Sequence, residues 1–227
     1  MKWFGKPGSI WDMGPRFPLL DKNRQSSIPG LYLAGDITGT PDIKAAINAG
    51  ADVARHLLSQ DLACRPPCDA HILILGGGPA GVSAALEFEK AYRERRGFGR
   101  LTPGAKAAGL ATGETAGLKP GPDRTSAASA APPKPYLLLE KKQLFTTIRN
   151  FAKCKPLFYA STGDPQVKGD LWWQEDGDGG AVRSCDLVEV WASQLEKYSL
   201  NARLGETVTD IQKTDKFRVV TDKRSYV

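Results

Sequence analysis

An apolar run at residues 71–75, His71-Ile72-Leu73-Ile74-Leu75, leads directly into Gly76-Gly77-Gly78-Pro79-Ala80-Gly81. No other stretch constrains the fold as much. A short apolar run ending in glycines is the pattern of a strand buried in a parallel sheet. Pro79 suits a first helical turn, and Val82, Ala85, Leu86 and Phe88 continue that helix. Strand, glycine turn and helix in this order form a G-x-G-x-x-G fingerprint. Gly76 allows the tight turn, Gly78 lets a pyrophosphate approach the backbone, and Gly81 lets helix and strand pack closely. The helix start, where Pro79 leads into Ala80, offers the free N–H groups of the residues after Pro79 and a partial positive charge to phosphates.

Such a fingerprint needs an acid at the end of the next strand, about twenty residues on. The next apolar run is Tyr136-Leu137-Leu138-Leu139-Glu140, which places Glu140 59 residues beyond Gly81. Residues 93–134 are rich in Gly, Ala and Pro, with little apolar periodicity. Without those 42 positions the spacing falls to 17. The segment reads as an insert, expected to be disordered, in a connection that is usually a few residues long. Glu140 would accept hydrogen bonds from ribose hydroxyls, with Lys141 beside it. A carboxylate there disfavours a 2′-phosphate, so FAD or NAD fits better than NADP. A ligand-free glycine turn with an exposed strand-end acid is the alternative. The agreement of strand, turn, helix and acid weighs against it.

The net charge of +6 suggests a nucleic-acid partner until its location is considered. Residues 92–135 hold eight Lys and Arg against three Asp and Glu, nearly the whole excess. The charge belongs to the insert, not to a folded basic face. No run reaches the roughly twenty apolar residues that cross a membrane, and residues 1–11 lack the apolar core of a secretory signal. Cys64, Cys68, Cys154 and Cys185 make no Cys-x-x-Cys pair and no zinc pattern. Cys64 and Cys68 read as incidental thiols in a linker, with a redox pair the minor alternative. A reducing cytoplasm suits that usage.

Elsewhere, residues 1–28 form an irregular lead-in and 31–34 a short strand. Pro41 and Asp42 start a helix that continues through Ile43, Ala46, Ile47, Ala51, Ala54 and Leu57. Residues 141–173 give no clear pattern, and 176–180 read as an acidic, glycine-rich loop. Leu187, Val190, Trp191, Leu195 and Tyr198 mark an amphipathic helix. Short strands follow at 201–204, 208–213 and 217–221, the last two as an antiparallel pair about Thr214-Asp215-Lys216.

Pro29-Gly30-Leu31-Tyr32-Leu33-Ala34-Gly35-Asp36, with Ile43-Lys44-Ala45-Ala46-Ile47-Asn48-Ala49-Gly50, is similar to the closing FAD motif of the pyridine nucleotide–disulfide oxidoreductases. The thioredoxin-reductase-like branch is closest. Residues 76–140, 145–161 and 186–221 resemble the opening of an FAD domain, in a layout shared with bacillithiol-disulfide-reductase-like flavoproteins. The resemblance implies that Asp36 binds the ribitol chain and that Gly35 permits close approach. It also implies that the helix start near Ile43 and Lys44 faces the isoalloxazine ring.

Several family features are missing: a Cys-x-x-Cys, a second glycine fingerprint for a nicotinamide domain, and the Ala-Thr-Gly segment after the last strands. The closing motif also precedes the opening one, the reverse of the family order. The expected class is therefore α/β: a Rossmann-like FAD/NAD(P)-binding fold with a parallel sheet and a small antiparallel element, incomplete or permuted. Residues 1–60 form the closing FAD segment, 61–70 a linker and 71–227 the Rossmann-like part. A tandem origin is favoured, with the two pieces belonging to neighbouring modules. In a permuted packing, 31–34 and 42–58 would instead dock beside strand 72–75, and one site would hold both motifs. The implied activity is an FAD-dependent oxidoreductase with NADH or NADPH as donor and an unidentified acceptor. The partner is a small-molecule dinucleotide, with no nucleic acid and no membrane; a homodimer is left open. The alternatives are a non-catalytic or incomplete dinucleotide module, or an NAD-binding Rossmann domain.

Overall fold

The computed structural model describes residues 17–39, 41–60, 68–95, 134–152, 154–157, 166–171 and 182–227. The lead-in up to residue 16, the loop at 176–180, Trp172-Trp173 and most of the insert lie outside them. The fold is mixed α/β, with one parallel sheet and two small antiparallel ones.

The parallel sheet has the order β1 (Ile72–Leu75), β2 (Tyr136–Glu140), β5 (Ala202–Leu204). Its register pairs Ile72 with Tyr136 and Leu138 with Ala202. The first four β2 residues are buried, as expected of a central strand covered on both faces. Helix α2 (Pro79–Arg95) joins β1 towards β2, and every position from 82 to 89 is buried. One side of α2 meets the sheet and another meets helix α1 (Ile43–Leu58). Ile47, Ala54 and Leu57 of α1 share a single core with Val82, Leu86, Phe88, Tyr136 and Leu138. Arg55 of α1 forms a forked pair with Glu87 of α2, with Nη2 2.8 Å from Oε1. Asn48 holds residues 166–168 against the two helices through both amide atoms, at 2.7 Å each.

Helix α2 runs to Arg95, beyond the expected start of the insert at 93. The reason is Glu89, which is 2% exposed. It accepts hydrogen bonds from Arg93 Nε at 3.1 Å, Lys134 Nζ at 2.7 Å and the Tyr136 hydroxyl at 3.0 Å. Lys134 Nζ also donates to the Ser199 carbonyl. Both ends of the expected insert are therefore fastened to one buried carboxylate. Burial and the neighbouring Glu89 push the Tyr136 phenol well above its ordinary pKa.

Residues 31–34 are a correction. They form no strand of the sheet. Tyr32 makes an isolated antiparallel bridge to Gln25, with Ser26 N–H bonded to Leu31 C=O and Leu33 N–H to Arg24 C=O. Gly30, at φ +85°, reverses the chain just before. The segment thus satisfies its backbone locally and does not join β1. A cavity of about 700 Å³ separates Leu31 and Tyr32 from Leu73 and Leu75.

The unclear region holds α3 (Thr146–Arg149) and β3 (Pro156–Leu157), which pairs with β4 (Val182–Arg183). Helix α4 (Ser184–Glu196) buries Leu187, Val188 and Trp191. The cysteine reading is also corrected. Cys154 and Cys185 form a disulfide with their Cα atoms 4.9 Å apart, and Cys68 is disulfide-bonded too. No described cysteine is a free thiol. Among the described residues, no helix is long and apolar enough to cross a membrane.

The expected hairpin is present: β6 (Val208–Lys213) pairs with β7 (Phe217–Thr221), and β8 (Ser225–Tyr226) adds to β7. Glu206 fastens this sheet to the molecule. It is 3% exposed and accepts hydrogen bonds at 2.7 Å from both the Thr221 and Tyr226 hydroxyls. Burial alone would raise its carboxyl. The two hydroxyls, with Arg224 and Arg203, outweigh burial and hold it below the ordinary value. A carboxyl lowered on folding contributes stability above its unfolded value of about 4.3 and loses it as pH falls through the folded value. Urea midpoints of wild type and Glu206→Gln are therefore expected to differ at pH 7 and to converge in acid. A gap that persists unchanged in acid would refute this.

Candidate dinucleotide site

The carboxyl end of β1 delivers the chain to Gly76 at φ +107°, a conformation that L side chains rarely adopt. A Cβ at Gly81 would fall 2.0 Å from the Gly76 carbonyl oxygen, so helix and strand touch there as a third fingerprint glycine requires. At Gly76 and Gly78 an added Cβ would meet nothing within 4 Å. The face of the loop at these residues is open, and Leu75 beside it is 40% exposed. Val82 N–H closes the first helical bond onto the Gly78 carbonyl at 3.0 Å. The first-turn amides of Ala80 and Gly81 have no intrahelical acceptor, and Pro79 has no amide hydrogen to satisfy. A helix end of this kind is able to receive an anion.

Glu140 is brought to the same loop. Its Oε2 accepts from Gly77 N–H at 2.7 Å and its Oε1 from Lys142 N–H at 2.9 Å. Two backbone donors hold the carboxylate in place, and each oxygen keeps a further lone pair for a ligand hydroxyl. Lys141 is exposed beside it. Gly77 carried no role in the sequence reading, yet it has little room: its Cβ would lie 2.7 Å from Leu144 Cδ2 and 3.1 Å from Glu140 Cγ. The three consecutive glycines were its signal.

The second motif reaches the same place. A Cβ on Gly35, at φ +85°, would sit 3.4 Å from the Ala80 Cβ. A Cβ on Gly50, in α1, would sit 2.0 Å from the Ala80 carbonyl oxygen. Both glycines therefore press against the first turn of α2. Asp36 opens a 3-10 turn, Asp36–Thr38, and is exposed. Ile43 is half-buried against the core, and Lys44 is buried. Asp42 caps α1 by accepting from Ala45 N–H at 2.6 Å. The amino end of α1 thus already carries a carboxylate, which offsets part of its positive end. Gly50 was missed as a packing residue; its signal was its place among the small residues Ala46, Ala49 and Ala51.

The two cavities described in the molecule lie elsewhere. One is the space along the outer edge of β1, which reaches the loop only at Leu75. The other, about 420 Å³, is polar and lined by Asp21, Arg24, Asp52 and His56. Neither is lined by residues 76–81 or by Asp36; the loop, open at Gly76 and Gly78, lies at the carboxyl end of β1, the end of the strands where ligands of open α/β sheets bind. Among the described residues no cluster of acids, histidines and cysteines could hold a metal ion.

No protein-family model and no curated protein sequence matches the chain. Among solved structures it is similar to the bacillithiol disulfide reductase Bdr (YpdA) from Staphylococcus aureus, at 18% identity and TM-score 0.38, covering 68% of this chain and 34% of that one. The Bdr (YpdA) structure from Bacillus cereus gives 18% identity and TM-score 0.38, covering 66% and 33%. The chain spans about a third of the length of these proteins.

Proposed function

We propose that this chain is an FAD-binding oxidoreductase module whose two binding motifs share one site. The observation that carries this reading is the meeting of Gly35 and Gly50 with Ala80. It supports a shared site, because Asp36 follows Gly35 and Ala80 belongs to the glycine loop at 76–81. The residues present fit the cofactor. Ala80 and Gly81 N–H would donate to the pyrophosphate. Glu140, already fixed by two backbone amides, would accept from the ribose hydroxyls. Asp36, exposed at its turn, would accept from the ribitol. The open faces of Gly76 and Gly78 let the phosphates reach the backbone. Bound FAD would supply two-electron chemistry between NADH or NADPH and an acceptor.

The test is the absorbance of purified protein reconstituted with FAD. Wild type is expected to retain flavin through gel filtration. Asp36→Ala and Gly78→Val are each expected to lose it, with at least a tenfold weaker Kd. Retention in both variants would refute the assignment. Nothing packs where the Gly78 side chain would go, so Gly78→Val is expected to stay folded.

A second reading is a dinucleotide module without turnover. The Asp42 cap favours it, because a carboxylate at the start of α1 opposes negative charge on a nearby reduced flavin. Yellow protein that NADH and NADPH fail to bleach would select this reading.

A further inference from the structure

We propose that the Cys154–Cys185 disulfide is a reversible exchange site for a dithiol reductant, and that its state governs the packing of the glycine loop. Both cysteines are half-buried, so a small reductant can reach the sulfurs. Cys185 is the second residue of α4, where free helix amides favour a thiolate. Lys155 and Arg183 adjoin the pair in sequence, and Asp186 Oδ1, 3.3 Å from Cys185 Sγ, is the opposing charge. Cys154 is held at φ +48°, an uncommon conformation for a residue with a side chain. Among the described residues, the backbone bonds that hold this corner beside the disulfide are the two-residue pairing of β3 with β4 and Ser184 N–H to Lys155 C=O, with Leu157 and Val182 reaching into the core. So short a ladder is marginal by itself.

The connection to the loop is a run of direct contacts. Helix α4 carries Trp191, fully buried, with its ring centroid 4.6 Å from that of Phe145. Phe145 N–H donates to the Gly77 carbonyl at 2.8 Å. Leu144, beside it, closes over Gly77. Freeing the start of α4 loosens Trp191 against Phe145, and with it the bond that shapes the loop.

The exchange balances without another reagent. One thiolate of the dithiol attacks a sulfur of the Cys154–Cys185 bond, and the other cysteine leaves as a thiolate. The second thiol of the reductant then displaces the first cysteine. The reductant ends as a cyclic disulfide, and two electrons and two protons reside on Cys154 and Cys185. Only the effect on ligand binding rests on the proposed FAD site; the exchange and the packing change do not.

The test uses the full chain with dithiothreitol and no denaturant, followed by thiol alkylation and peptide mass spectrometry. Cys68, in a separate disulfide, is scored separately. Both Cys154 and Cys185 are expected to take the label. Hydrogen exchange at the Phe145 amide is expected to rise about tenfold on reduction, while α1 and α2 stay protected. A Cys154→Ser/Cys185→Ser variant is expected to exchange fast with or without dithiothreitol. Failure to label before denaturant is added, unchanged exchange at Phe145 after labelling, or loss of protection throughout the molecule would each overturn the proposal. FAD titration in both states reports on the ligand. Absence of binding in both, with labelling and exchange as expected, supports the latch and removes only the cofactor.

Discussion

A chain lacking residues 93–134 is expected to be destabilised by about 3–5 kcal/mol, while one lacking 96–133, joined by a short Gly-Ser linker, is expected to unfold near wild type. The difference lies in Arg93 and Lys134. Both bond Glu89, which is almost wholly buried, and Lys134 also ties the network to Ser199. Removing the cations leaves the buried carboxylate, of its described partners, with the Tyr136 hydroxyl alone, and an unpaired buried charge is among the costliest single defects. Urea unfolding of the two deletions measures the contrast. Lys134→Ala in the full chain should reproduce part of the larger loss. Equal midpoints for the two deletions would show that Glu89 does not need its partners.

The second large effect is expected at the contact between backbones. Gly81→Ala and Gly50→Ala each place a Cβ about 2.0 Å from a carbonyl oxygen, of Gly76 and Ala80 respectively. Neither oxygen is the end of a flexible side chain, so the helix must move. Each substitution is expected to cost about 2–3 kcal/mol, as overpacking does, and to weaken FAD binding by distorting the first turn of α2. Chemical denaturation and flavin titration measure the two effects. Gly78→Ala is the control. Its Cβ enters open space, so stability should change by less than about 0.5 kcal/mol. If Gly81→Ala proved as mild as Gly78→Ala, the close approach would not be the reason for that glycine.

Much of this was legible in the sequence because local rules and tertiary demands agreed. The run before Gly76 is a strand of the parallel sheet, though half-buried at its edge rather than fully buried, Pro79 starts a helix, and Glu140 ends the neighbouring strand beside the glycines. The β6–β7 hairpin and most of the apolar stripe of α4 followed from periodicity in the same way, although Val190 is exposed, Val188 is buried instead, and Tyr198 lies past the helix end. The failures share a cause, which is partners distant in sequence. Glu89 carried no signal in the sequence, because its partner Lys134 is 45 residues away. Cys154 and Cys185, 31 residues apart, showed no spacing that implied a bond. Residues 31–34 had the composition of a strand, but Gly30 turns them back onto residues 24–26 before they can reach the sheet. In the candidate site, the fingerprint gave the loop. The crowding at Gly77 and Gly50 depends on Leu144 and Ala80, which no short motif connects to them.

The outer edge of β1 has a consequence for how the protein behaves in concentrated solution. Among the described residues the strand is paired on one side only, and apolar Leu73 and Leu75 border the space beside it. A bare strand edge is where stray chains add on and precipitates begin, and proteins commonly guard such edges with lysine. Lys213 and Lys216 stand at the border of this space, so two cations sit where an incoming strand would have to approach.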